Sequence, residues 1–307
     1  MSTAASVRIG GDPYRIEIVG ADSYPNFLSL ESLNDSGTMV GEGAGIDPMG
    51  VLIDAKGSEP IPGLALTAYG ISNNGWIVGL GSDCFSGGLP IATHSYLWDR
   101  RTGERQRLRA PGSAITRVLG CERDSTIVYD VSVLGIAVGE FTDASGTRRG
   151  FSGPVDDLHA VEPPLGAGVT ASGLRAINQA GDLAGEAVDA GGARHAIVIR
   201  DGNWRRIEVP GALWSEARDI SDTGVVVGSF GDVLGKVRGF VWRNARLDVV
   251  EIAGALETRL NGLNRAGTMV GAVRIAEPPG QTGSRQRGLV LSPVDSASAT
   301  SAGEEPL

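Results

Sequence analysis

The chain has 307 residues, with 27 Lys and Arg against 36 Asp and Glu and a formal net charge of −9. Its basic residues form no run, and phosphate contact needs clustered cations, so a nucleic-acid partner is not expected. No apolar run approaches the ~20 residues of a membrane span, and the opening residues carry no apolar leader, so the expectation is a cytoplasmic, monomeric protein with no membrane role.

Residues 1–12 have tail composition and are expected to be disordered. Tyr14 to Ala21 then reads as an isolated strand. After it, the string Asn-x-x-Gly-x-x-Val-Gly or a close variant recurs six times, with its first glycine at Gly37, Gly75, Gly135, Gly181, Gly224 and Gly267. These glycines are 38, 60, 46, 43 and 43 residues apart. Each copy is a strand, a tight turn that needs the φ > 0 of glycine, and a second strand. A third strand (Arg238-Gly239-Phe240-Val241-Trp242 in the clearest unit) and a fourth (Leu247 to Ile252) follow. Four short antiparallel strands at a period near 43 define a propeller blade.

The last copy ends at Arg287 to Leu291 with no fourth strand after it, whereas Tyr14-Arg15-Ile16-Glu17-Ile18-Val19 is a fourth strand without a blade. The predicted fold is therefore all-β: a six-bladed β-propeller of four-stranded antiparallel blades over residues 13–293, its ring closed by the N-terminal strand completing the C-terminal blade. Residues 294–307 read as a disordered tail.

The third-strand triplets His94-Ser95-Tyr96, Arg149-Gly150-Phe151, His195-Ala196-Ile197, Arg238-Gly239-Phe240 and Arg287-Gly288-Leu289, together with the Asn-Asp-x-Gly turns, resemble the HAF-repeat family across about residues 14–292. The resemblance implies a repeat scaffold and brings no shared catalytic set. The third copy departs most, with Val131-Ser132-Val133-Leu134-Gly135 at the turn.

Insertions fall on one face of the disc, here called the top, where second-to-third strand loops and blade-to-blade connections lie. They are Leu80 to Thr93, Ser113 to Thr126, and Val273 to Gln286 with its Pro278-Pro279-Gly280. Long loops on one face of a rigid scaffold are where binding concentrates. On the innermost strands, the position four before the first glycine is always apolar (Leu33, Ile71, Val131, Ile177, Ile220, Leu263) and is expected in the core. The position six before it reads Glu31, Tyr69, Tyr129, Arg175, Arg218 and Asn261, always polar or aromatic, and should ring the upper mouth of the channel. Such a ring suits an organic ligand with an acidic group. Glu31, Tyr69 and Tyr129 are the catalytic candidates. Arg175, Arg218, Asn261, Trp214, Phe85, Tyr24 and Arg259 are the substrate-binding candidates.

Two functions fit. The first is a cofactor-independent cyclase, isomerase or lyase acting on a polyketide- or polyether-like intermediate, with Glu31 as proton acceptor and the arginines anchoring a carboxylate or enolate. The second is a non-catalytic module that binds a protein, peptide or glycan through the top loops. A deep cavity would mark the first and a broad exposed patch the second. No cofactor and no metal are expected, since the three histidines lie in three places and no phosphate loop or dinucleotide fingerprint is present. His94 and His195 read as structural hydrogen bonders. Asp143, Asp189 and Asp232 recur eight residues after the first glycine and read as turn caps. Cys84 and Cys121, in a chain expected to be cytosolic, are expected to be free thiols, although both sit in insertions and contact between them stays open.

Overall fold

A computed structural model describes residues 6–19, 27–44, 48–61, 67–87, 89–164, 168–277 and 283–294. Every regular element among them is a strand, and no helix is long and apolar enough to cross a membrane. Six antiparallel sheets are arranged in a ring as the blades of a propeller. Their inner strands are Phe27–Leu33, Thr67–Ile71, Ile127–Val131, Val169–Ile177, Ala212–Ile220 and Glu257–Leu263. Five blades have four strands, and the sixth has five.

The ring closes as expected. Asp12–Val19 pairs with Ser284–Pro293, and Ile16 faces Leu291 while Ile18 faces Leu289. One expectation is corrected: residues 6–12 are not a disordered tail, because Ser6–Ile9 folds back on Asp12–Val19 as a fifth strand. Its Ile9 is 1% exposed and joins the core between blades five and six, and that apolar burial holds the segment in place. The tail expected from residue 294 onward lies outside the described residues beyond Val294.

The repeat motif has a physical cause at each position. The first glycine sits at a φ of 76 to 86° in all six turns, a region that L side chains avoid. The preceding Asn or Ser caps the turn; Asn34 Oδ1, for example, accepts from the N–H of Ser36 (3.1 Å) and of Thr38 (3.0 Å). The residue before the second glycine (Val40, Val78, Val138, Ala184, Val227 or Val270) is fully buried between blades. The second glycine lies so close to the inner strand that a Cβ on it would collide with a backbone carbonyl in every blade.

That crowding has a local origin. In each blade the inner strand carries a β-bulge at one place: pairing skips from Leu30 to Ser32, Ala68 to Gly70, Val128 to Asp130, Leu174 to Ala176, Ala217 to Asp219 and Leu260 to Gly262. The skipped residues are Glu31, Tyr69, Tyr129, Arg175, Arg218 and Asn261. A bulge re-aims the side chain of its extra residue, and here it turns six of them toward the axis.

Candidate functional site

The six bulge residues together line one cavity of about 20 Å³. That is close to the volume one water molecule needs, and far below the few hundred Å³ of a small-molecule pocket. The ring is therefore assembled as expected, but as a plug across the channel rather than an open mouth.

Its members hold one another. The Tyr69 and Tyr129 rings meet edge to face at 5.0 Å, and the Arg175 guanidinium stacks over Tyr129 at 3.9 Å. The Tyr129 hydroxyl donates to Glu140 (3.1 Å), and Arg175 lies 3.6 Å from Glu140 and 3.4 Å from Glu186. Arg218 donates to Glu216 (2.8 Å). Two arginines of the third strands extend this network between blades: Arg148 joins Glu140 to Glu186, and Arg194 joins Glu186 to Glu216. On the opposite side Ser29 donates to Glu31, and Thr67 to Glu42. Burial raises the pKa of Tyr69, Tyr129 and Glu42, so both phenols remain O–H donors. Burial also pushes Glu216 upward, but Arg218, Arg175 and Arg194 outweigh it and keep the carboxylate charged. Two buried atoms of the ring have no hydrogen-bond partner among the described residues, Arg175 Nε and Asn261 Oδ1.

Below the plug is a second chamber of about 110 Å³, walled by all six blades down to the turns. Four aspartates line it, Asp35 and Asp222 at the turns and, deeper, Asp130 and Asp219, the two that sequence reasoning missed. Asp130 accepts from the N–H of Val131 (2.8 Å) and, in the next blade, Ile177 (3.0 Å). Asp219 accepts likewise from Ile220 (2.7 Å) and Leu263 (2.8 Å). The column that holds them reads Ser32, Gly70, Asp130, Ala176, Asp219, Gly262, a polar residue alternating with a small one. That alternation is the signal available in the sequence: each polar member spans to the following blade, as Ser32 does toward the Ile71 N–H (3.4 Å).

The remaining sequence candidates lie elsewhere. Trp214 and Arg259 stand apart from the plug. Trp214 is flanked by the guanidinium groups of Arg194 (4.7 Å) and Arg259 (5.9 Å), and Arg259 pairs with Glu257 (3.3 Å). Phe85 is 52% exposed on the top insertion of blade two and takes no part in the ring. Tyr24 lies outside the described residues, as do Pro278, Pro279 and Gly280.

The insertions are hairpins rather than open loops. Trp76–Ser86 and Leu89–Asp99 extend blade two, and Ile115–Val118 pairs with Cys121–Asp124 as a separate two-stranded hairpin. A disulfide joins Cys84 to Cys121, with their Cα atoms 6.3 Å apart, which corrects the expectation of free thiols. The small hairpin turns through Leu119 and Gly120, and Leu119 adopts a φ of 51° while 77% exposed. Ile115 and Val118 are also exposed. Arg117 and Arg123 on the same hairpin form no salt bridge among the described residues, whereas Glu122 engages Arg107 (3.3 Å).

The histidines and turn aspartates act structurally. His94 Nδ1 lies 3.1 Å from Asp124, and His195 Nε2 2.8 Å from Asp189. Asp143, Asp189 and Asp232 each accept two turn N–H groups with one oxygen and a third-strand side chain (Arg149, His195 or Arg238) with the other. His195 thus stands where two other blades have arginine.

This geometry defines a six-bladed β-propeller with a blocked axis and a decorated top. Solved structures that share the fold include a protein of unknown function from Dyadobacter fermentans DSM 18053, at 13% identity over 91% of this chain and 98% of that one, with a TM-score of 0.54. TolB from Acinetobacter baumannii is similar at 11% identity over 91% of this chain and 65% of that one, with a TM-score of 0.51. At such identities the likeness shows the fold alone. No family model matches the chain, and no curated protein matches it.

Proposed function

We propose that this propeller is a binding module whose top face takes an acidic, apolar-bearing segment of a protein partner. The observation that carries the reading is Leu119, a large apolar side chain 77% exposed at the left-handed tip of a hairpin tied down by Cys84–Cys121. A bulky residue at positive φ is strained, and an exposed one has no core to repay the strain, so a role outside the fold is favoured. Of the eleven large hydrophobics exposed among the described residues, eight lie on the top: Phe85, Ile115, Val118, Leu119, Leu213, Val233, Leu234 and Leu256. Four of these, Phe85, Ile115, Val118 and Leu119, belong to the two insertions joined by the disulfide, and apolar exposure brought together in this way marks an interaction surface. Arg117 and Arg123, uncommitted beside it, favour acidic residues in the partner.

The catalytic reading, ring formation or lysis on a polyketide- or polyether-like intermediate, needs substrate space among Glu31, Tyr69, Tyr129, Arg175 and Arg218, and about 20 Å³ is there. The ion pairs around Arg175 and Arg218 favour a structural role for the ring, as cross-ties between blades. The test is selection of displayed random peptides against the folded chain, counter-selected against Leu119→Asp.

A further inference from the structure

A hollow lies on the opposite face from the insertions, at the seam where blade five meets blade six. It measures about 420 Å³, within the range of small-molecule sites. Its walls are apolar, built by Val225, Val241, Leu263, Met269 and the ring of Tyr14. Two guanidinium groups, Arg243 and Arg265, stand at its rim.

The cause of the hollow is visible one seam earlier. Arg200 ends the third strand of blade four, and its Nη2 reaches across to the carbonyl of Gly224 in blade five (3.0 Å), filling the seam. Arg243 holds the same repeat position in blade five, 19 residues after the first glycine. It does not reach Gly267 in blade six. It is drawn aside to the carbonyl of Ile9 (3.2 Å) and the carboxylate of Asp12 (3.2 Å), both on the N-terminal hairpin that closes the ring. The space that Arg200 fills is left open beside Gly267, where an added Cβ would meet only Pro293 (3.4 Å) and no arginine.

We infer that this vacated seam is a binding site for a small organic carboxylate, its apolar body against Met269, Val225 and Val241 and its anion between Arg243 and Arg265. Among the described residues Nη1 of each arginine has no hydrogen-bond partner: Arg243 directs Nη2 to Ile9 and Asp12 and lies 3.9 Å through Nε from Asp248, and Arg265 directs Nη2 to Asp222 (3.3 Å) and lies 4.0 Å through Nε from Asp35. The rim acid Asp222 is itself engaged by Arg265 and by the Gln179 N–H (2.9 Å), so it presents little free charge to the ligand. Tyr14 adds a phenol whose pKa burial raises, keeping it an O–H donor. The site is independent of the top-face reading, because no residue is shared.

Methyl-labelled methionine gives a direct readout, since the chain has only four methionines and Met269 alone lines this cavity. Phenylacetate and hexanoate are titrated, with phenylacetamide as the neutral control. The expected result is a saturable shift of the Met269 methyl with the acids, still Met39 and Met49 signals, and little response to the amide. Arg265→Glu, at a position 68% exposed on its side chain, should weaken phenylacetate by roughly tenfold or more, the scale of a lost charge-assisted hydrogen bond. Thr223→Trp, at the exposed rim, should block binding without touching the core. Three results overturn the inference: no Met269 shift at millimolar acid, an equal shift with the amide, or Arg265→Glu binding as the parent does.

Discussion

Asp219 and Asp130 face one chamber of the channel, and the charge of one raises the pKa of the other. Burial is the larger cause; with the Asp130 charge added, it lifts Asp219 from 3.8 to about 8, while burial lifts Asp130 from 3.8 to about 6. The folded state therefore binds these protons more tightly than the unfolded chain. The associated stability is complete below the unfolded value of 3.8 and is lost as pH rises through about 6 and then about 8. The melting temperature should fall across that interval, and Asp219→Asn should flatten the upper half of the decline. The variant will start lower, because an amide oxygen cannot replace both acceptors of the carboxyl; the cost of one unpaired N–H is about 1–3 kcal/mol. A parent melting temperature that is level or rises over the same interval would show that the pair does not titrate as described.

Ring closure rests on the pairing of Asp12–Val19 with Ser284–Pro293. The Val294 N–H donates to the Pro13 carbonyl, so by antiparallel alternation the Glu17 N–H also faces Ser284–Pro293. Glu17→Pro removes that donor and should cost about 1–3 kcal/mol through the acceptor it strands. Removing residues 1–19 should go further, baring the edge of Ser284–Pro293 and causing association through it. A synthetic peptide of residues 6–19 added during refolding should restore a monodisperse particle. Chromatography with light scattering reads the outcome, and an unchanged, monomeric truncation would refute closure by this strand.

The plug is read as a cross-tie between blades. Arg175→Ala removes one of the cations shared by Glu140 and Glu186, which keep Arg148 and Arg194, so the loss should be measurable but smaller than the ~3–5 kcal/mol of a buried pair broken outright. Tyr129→Phe removes one hydrogen bond to Glu140 and should cost about 1 kcal/mol. Because Arg175 and Tyr129 share Glu140, the double variant should lose less than the sum. Chemical denaturation measures all three. Variants that keep full stability would point back to a ligand-binding role for the ring.

The Cys84–Cys121 bond holds the small hairpin to blade two. Thiol titration of the native protein should find no free thiol, and two after reduction and unfolding. Limited proteolysis should cut near Leu119 faster in the reduced protein, while the blades stay intact. Equal cleavage rates with and without reductant would mean the bond does not restrain the hairpin.

Much of the architecture was legible because one turn recurs with its glycines, and the orphan strand at Tyr14 implied its partner near Leu289. The ring was legible as a column of dissimilar side chains. Its character was not, because the β-bulge that aims those residues inward exists only once strands are paired, and so do the third-strand arginines that lock them. Asp130 and Asp219 left one trace, the alternation of polar and small residues along their column, but their partners are backbone N–H groups of the next blade, which a side-chain pattern does not name. Ser6–Ile9 looked like a tail because only its Ile9 is fully buried. The disulfide depended on two insertions folding as hairpins side by side, which their composition does not specify.

The most direct measurement of the central claim is peptide display on the intact chain with matched variants. The account predicts enrichment of peptides that carry both acidic and apolar residues. Their binding should be lost on Leu119→Asp and on Phe85→Asp, weakened by salt and by Arg117→Glu, and unaffected by Arg265→Glu on the far face. Failure to enrich any peptide, or enriched peptides that bind Leu119→Asp as well as the parent, would contradict it.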